Sequence, residues 1–359
     1  MRIGLLIYGG LESVSGGYLY DRMLVDHLRR WGEQVEVYSL PWRDYLRHLG
    51  DNFSPGLFQR LRNAELDVLL QDELNHPSLF WLNQRLRRHI SYPIVCIVHH
   101  LRSSEAHPEW LGRFYGWAER RYLRSVDGFI FNTQTTRAVV EGLIGQGKPS
   151  VVAKPAADHL PPTVTKEQIV ARARRPGRLH ILFVANLIRR KGLHTLLDSL
   201  RAAPFPWSLT VVGSTDVDAS YTRSLLRQVA RGEMGTRVRF LGARPNAELS
   251  GLMAESHLMV VPSSYEGFGI VYLEGMGFGL PAIGTTAGGA QEIVRHGENG
   301  FLIAPGDSQA LASHLSRLAS DRGLLLKLSL AARETYERSP TWENAARRIR
   351  AFLTENLQA

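Results

Sequence analysis

A chain of 359 residues with 44% apolar and 21% charged side chains is too long for one ordinary core, and its composition excludes disordered, collagenous and membrane-spanning classes, so about two soluble domains are expected. The single cysteine, Cys96, lies inside the apolar run 94–98 and rules out a disulfide framework or a multi-cysteine zinc site. A formal net charge of +9 favours anionic partners, but the arginines gathered at Arg85/Arg87/Arg88, Arg120/Arg121/Arg124 and Arg172/Arg174/Arg175/Arg178 accompany no nucleic-acid motif; they are read as solvated helix faces, and no nucleic-acid partner is expected.

The opening apolar run is too short for a secretory leader and is followed by Gly9-Gly10-Leu11-Glu12 rather than a cleavage site, so a buried first strand and a cytoplasmic protein are expected. Short β-rich runs then alternate with amphipathic stretches of helical length. Strand 3–8 precedes helix 18–31, strands 35–38 and 68–70 follow, and strands 94–98 and 128–131 precede helices 110–123 and 135–143, before a last strand at 151–152. The basic and aromatic stretch 41–62 is a helical excursion suited to anionic lipid or to an acceptor groove. Residues 154–178, with Pro155, Pro161, Pro162, Pro176 and Gly177, break the rhythm and read as a connection. The pattern restarts with strands 179–185, 209–212, 238–241 and 258–261, each followed by a helix (193–200, 221–229, 246–254, 269–277), then strands 282–283 and 301–303. The tail 308–357 reads as helix, interrupted at Ser339-Pro340, with Thr341 as the N-cap of the last helix. Such alternation predicts two α/β, doubly wound parallel sheets, with ligands beyond the carboxyl ends of the strands.

Chemistry-bearing residues fall at those ends. After strand 258–261 comes Pro262-Ser263-Ser264-Tyr265-Glu266-Gly267-Phe268-Gly269-Ile270, a glycine-bearing loop that opens a helix. Backbone N–H groups at Phe268, Gly269 and Ile270 are helix-start donors suited to phosphate or sugar oxygens. Glu266 precedes the helix and Glu274 lies about a turn and a half inside it; carboxylates accept strongly from paired hydroxyls. Taken alone, such a pair reads first as a loop charge and a solvated helix residue. Asn186-Leu187-Ile188-Arg189-Arg190-Lys191 places three cations where strand hands over to helix, and Ser15-Gly16-Gly17 allows close backbone approach to a diphosphate. His99 and His100 end a buried strand, and imidazole can donate or accept near neutral pH. Asp216-Val217-Asp218 has the form of a divalent-ion motif but sits where aspartates cap helices. Gly288-Gly289 turns the chain, with Glu292 bracing the loop.

The order strand, Pro262-Ser263, Glu266-Gly267-Phe268-Gly269, Glu274-Gly275, Gly279-Leu280-Pro281 resembles the family 4 retaining glycosyltransferases, whose signature is a Glu-x7-Glu segment. The resemblance runs through Gly16-Gly17, Gly32-Glu33, Lys191-Gly192, His99, Gly288-Gly289, Asn299-Gly300 and Trp342. It implies a GT-B fold of two Rossmann-like domains facing a central cleft: an acceptor domain at 1–155, a linker at 156–178, a donor domain at 179–340, and a last helix at about 341–359 packing back onto the first domain. It implies a nucleoside diphosphate sugar donor, no metal and no other cofactor. His99, Lys191 and Glu266 would be catalytic; Gly16, Gly17, Asn186, Arg190, Lys191, Glu266, Gly267, Phe268, Gly269, Ile270 and Glu274 would bind the donor; His100, Arg102 and Glu105 would line the acceptor side. Asn186 departs from the family, standing where an arginine is usual. The acceptor could be a glycan, a lipid-linked molecule or a small molecule, with an envelope or exopolysaccharide role and peripheral contact with an anionic plasma membrane. A sugar-nucleotide epimerase-like enzyme, a phosphorylase and a non-catalytic sugar-nucleotide binding subunit are the competing readings. A nicotinamide dehydrogenase is disfavoured because no Gly-x-Gly-x-x-Gly follows the first strand.

Overall fold

The apolar runs fold as strands and the amphipathic stretches as the helices between them, in a computed structural model that describes residues 1–232 and 234–355. The strands are β1 (Arg2–Tyr8), β2 (Gln34–Leu40), β3 (Val68–Asp72), β4 (Ile94–Val98), β5 (Gly128–Phe131), β6 (Ser150–Val152), β7 (Leu179–Val184), β8 (Trp207–Val212), β9 (Val238–Phe240), β10 (Leu258–Val260), β11 (Ala282–Thr285) and β12 (Gly300–Ile303). The helices are α1 (Gly16–Arg30), α2 (Tyr45–Leu49), α3 (Pro55–Arg62), α4 (His76–Leu79), α5 (Leu82–Leu86), α6 (Glu109–Ser125), α7 (Gln134–Ile144), α8 (Lys166–Arg174), α9 (Leu193–Leu200), α10 (Ala219–Arg231), α11 (Asn246–Glu255), α12 (Ile270–Gly277), α13 (Ser308–Ser320), α14 (Arg322–Glu337) and α15 (Trp342–Glu355). Residues 356–359 of the predicted last helix lie outside the described residues. No helix among the described residues is long and apolar enough to cross a membrane.

The chain divides into two compact units, Met1–Pro155 with Pro340–Ala359, and Ala156–Ser339. Each holds one six-stranded sheet, ordered β2-β1-β3-β4-β5-β6 in the first and β12-β11-β10-β7-β8-β9 in the second. All recorded pairings within them are parallel, for example Ile3↔Val35 and Leu258↔Ile181. Because helices cover both faces of a parallel sheet, β3, β4 and β5 are buried along their whole length. Cys96 is one of these core residues.

In the first unit, α15 packs on α1 and β6. Trp342 is buried with its ring edge-on to Tyr20 at 5.7 Å, and Arg350 donates to Glu33 at 2.6 Å. Thr341 starts that helix by accepting from Asn344 N at 3.2 Å.

The second unit corrects two sequence expectations. Residues 156–178 are not a free linker: they belong to this unit and contain α8, which packs on α14. Nor is Arg172 solvated. Its buried guanidinium donates to the carbonyls of Ala254 (2.8 Å), in the last turn of α11, and Phe278 (2.6 Å), the residue that ends α12. Those carbonyls have no partner within their own helices, and a cation there also complements both helix dipoles.

Candidate functional site

Counted within its own unit, the second sheet reads 3-2-1-4-5-6, so the strand order reverses between β7 and β10. Doubly wound sheets bind ligands at that reversal. Lys191 follows β7 and Glu266 follows β10, and the structure brings them together: Lys191 Nζ donates to Glu266 Oε2 at 2.6 Å, and Ser263 Oγ donates to the same oxygen at 3.1 Å. Burial alone would push the Glu266 carboxyl up, but Lys191 and Arg190 outweigh it and hold the group at about 2. The paired cations thus favour an ionised Glu266 that accepts hydrogen bonds.

The backbone around it is fixed from three sides. Glu266 N donates to Ala287 O at 3.3 Å and Gly289 N to Glu266 O at 2.7 Å, an approach possible because residue 288 is glycine at φ 84° and any Cβ there would collide with the Glu266 carbonyl. Arg190 closes the third side, its Nη1 donating to Tyr265 O at 3.0 Å while its own carbonyl accepts from Ser264 N at 2.8 Å. The loop through Gly267 and Phe268 then enters α12 from Gly269, whose φ of 89° excludes most side chains. Glu274, half-way along α12, pairs with His159 Nε2 at 2.9 Å. Asn186 Oδ1 accepts from Ser214 N at 3.3 Å, which ties the ends of β7 and β8 together. Asp218 caps α10 by accepting from Tyr221 N at 2.9 Å, so that half of the Asp-x-Asp has a structural partner.

In the first unit the sheet order reverses between β1 and β3. Ser15 caps α1, whose first turn carries Gly16 and Gly17. A Cβ on Gly17 would come within 3.1 Å of His99 Cδ2, so the glycine lets the imidazole lie against the helix. His99 Nε2 lies 3.3 Å from Asp21 Oδ1, and Asn132 donates to the His99 carbonyl at 2.9 Å. Burial would lower the His99 proton affinity, but Asp21, Asp72 and Glu73 raise it to about 9. His100 pairs with Glu105 at 2.9 Å. Arg102 stacks over Tyr45 and Tyr115 at 5.3 and 4.8 Å.

Beneath these side chains lies an acidic cluster that the sequence reading missed. Asp21, Asp72, Glu73 and Glu119 are all buried. Burial pushes Asp72 up to about 6 and Glu119 to about 7. Glu119 accepts from Ser103 N at 3.1 Å, holding the turn that carries Arg102, and His76 bonds Tyr45 Oη at 2.9 Å. These positions come from α1, the end of β3, α4 and α6; no spacing in the sequence announces them. His159 was missed for a similar reason, since it lies in the proline-rich stretch read as a connection.

Two doubly wound sheets, each with its polar groups at the point of strand reversal, define a GT-B type of fold. Residues 16–156 match the glycosyl transferase 4-like domain and residues 164–335 match glycosyl transferases group 1; the chain belongs to the family 4-like glycosyltransferases. It is similar along 97% of its length to the D-inositol 3-phosphate glycosyltransferase of Corynebacterium urealyticum, with 26% identity over 396 residues and 92% of that protein covered. The fold is shared with sucrose-phosphate synthase from Thermosynechococcus elongatus (TM-score 0.84, 21% identity, 99% of this chain and 98% of that one). It is shared also with Anabaena HepE solved in complex with UDP-glucose (TM-score 0.79, 22% identity, 99% of each chain).

Proposed function

We propose that this glycosyltransferase moves a hexose from a nucleoside diphosphate sugar to a hydroxyl acceptor with retention at the anomeric carbon, and needs no metal or other cofactor. The observation that carries this reading is the Lys191–Glu266 pair across the strand reversal of the second unit, beside the start of α12. Lys191 and Arg190 supply positive charge for the departing diphosphate, an electrostatic role that a metal would otherwise fill. Backbone N–H groups from Gly267 to Ile270 receive anionic or hydroxyl oxygens. Glu266, kept ionised, accepts from hexose hydroxyls, and Glu274 accepts from the ribose. Asn186 takes the place of a family arginine beside the diphosphate. In the first unit, Gly16 and Gly17 are assigned to the diphosphate, His99 to the transferred hexose, and His100, Arg102 and Glu105 to the acceptor. Retention rests on the Glu-x7-Glu resemblance and on the engagement of Glu266 with Lys191 and Ser263, which suits binding better than nucleophilic attack.

A thermal-shift panel of nucleotides and nucleotide sugars should raise the melting temperature with one base, in proportion to ligand occupancy. NMR of the product formed from the matching donor should then show the donor's own anomeric configuration; an inverted product rejects retention. Glu274→Ala should weaken nucleotide binding, and full affinity in the folded variant would remove the ribose assignment.

The acceptor side fits an envelope or exopolysaccharide substrate met at an anionic membrane from the cytoplasmic face. Trp42, Leu46, Phe53, Trp81 and Trp117 are exposed on the first unit, and Arg121 lies over the Trp81 ring. Aromatic side chains with adjacent cations suit a headgroup layer. Flotation with phosphatidylglycerol vesicles, lost with phosphatidylcholine alone or at high salt, is the expected result; equal flotation on both rejects the electrostatic part of this reading.

A further inference from the structure

We propose that Asp21 is a positioning residue which keeps His99 doubly protonated, so that the imidazole meets the donor as a cation and not as a neutral hydrogen-bonding group. The proposal rests on the assignment of His99 to the donor.

Its basis is geometric. Asp21 lies inside α1, fully buried, with Oδ1 3.3 Å from His99 Nε2 and Oδ2 without a hydrogen-bond partner. A buried carboxylate so poorly supplied with donors requires a nearby positive charge. The His99 ring is restrained as well. Its face of contact with α1 is set by the missing side chain of Gly17, Tyr20 lies edge-on at 5.3 Å, and its carbonyl is held by Asn132. With Nε2 facing Asp21, Nδ1 makes no recorded hydrogen bond to a described residue, and the side chain keeps 14% exposure. Nδ1–H is thus the group left for a ligand.

Two influences oppose the cation. Burial disfavours it, and the N-terminal dipole of α1, against whose first turn the ring rests, disfavours it too. The groups facing the ring from other elements act the other way: Asp72 from the end of β3 and Glu73 from the turn after it, with Asp21 from α1 the largest. Glu73 is itself pushed well above the carboxylate range by burial, and Asp72 to about 6, while Asp21 is the carboxylate in direct contact with the ring. Without Asp21, burial and dipole should win and His99 should become neutral. A cation at this place would attract the negative charge that grows on a leaving diphosphate, whereas neutral imidazole would offer one hydrogen bond only.

The test uses the whole chain and the near-isosteric Asp21→Asn. By NMR of the imidazole nitrogens, wild-type His99 should hold its second proton up to about pH 9, and in Asp21→Asn it should lose that proton below its ordinary range near 6.5. With UDP-glucose as the donor probe, kcat for hydrolysis by Asp21→Asn should fall at least about tenfold at pH 8 with little change in KM, and most of the loss should be recovered at pH 5.5. A brace with no electrostatic role would lower activity equally at both pH values, and that outcome overturns the proposal. So does a wild-type His99 that titrates near 6.5, a measurement that stands even if the variant does not fold. Should His99→Gln leave turnover unchanged while Asp21→Asn still shifts the titration, the ion pair stands but its use on the donor is rejected, together with the donor assignment of His99.

Discussion

Lys191 and Glu266 show how much one ion pair fixes at this site. Both side chains are largely buried, at 17% and 10% exposure, so removing the cation strands a carboxylate away from water. Lys191→Met should therefore cost roughly 3–5 kcal/mol of stability, read by denaturant unfolding, and lower donor turnover by about a hundredfold or more. The double variant with Glu266→Gln should regain a good part of the stability and none of the turnover. The pH dependence follows from the depressed Glu266 value. Its contribution is complete above the ordinary carboxylate range near 4.3 and is lost as pH falls through about 2, so acid should soften the second unit below about pH 4 in the wild type and less so in Glu266→Gln. The sequence pointed to Lys191 and Glu266 as candidates because each follows a strand end, and to Glu274 because it lies in the helix that the Glu266 loop opens. It could not show that Glu266 holds Lys191, or that Glu274 holds His159, since those partners are 75 and 115 positions away and meet only through the fold.

Helix ends account for the largest departures between sequence and structure. The stretch 156–178 reads as a connection because its prolines break the strand–helix rhythm, yet α8 sits within it, its capping box formed by Thr165 and Gln168. Arg172 on α8 serves the carbonyl ends of α11 and α12 at once. Arg172→Leu should destabilise the second unit by about 2–4 kcal/mol, since charged hydrogen bonds to buried carbonyls are lost with no replacement, and hydrogen exchange should rise first at the ends of those two helices. Asp218→Ala should be milder, about 1 kcal/mol as for other N-caps, and should leave donor turnover and its response to chelators unchanged. A steep loss of turnover in that variant would reopen the metal reading of the Asp-x-Asp. Gly17→Ala belongs here too. The added methyl would meet the His99 ring at 3.1 Å and should lower turnover more than stability, with the ring's nitrogen shifts moving in NMR.

The whole molecule is two doubly wound units, and the chain leaves the first only to return to it. Trp342, buried against Tyr20, and Arg350, paired with Glu33, bind the last helix to the unit that begins the sequence. A chain ending after Ser339 should therefore lose stability in the first unit while the second keeps its melting transition, and Trp342→Ala alone should cost roughly 3–5 kcal/mol; limited proteolysis would report which unit opens. The sequence by itself determined the fold class, the two-part organisation and the loops that carry the candidate chemistry. Hydrophobic period, glycine position and proline breaks are local properties, written in neighbouring residues. Only the tertiary structure decided which charges meet. The acidic cluster around Asp21, Asp72, Glu73 and Glu119, the raised proton affinity of His99 and the double helix cap of Arg172 all depend on burial and on distances between remote segments, and electrostatic energies are set by those two quantities.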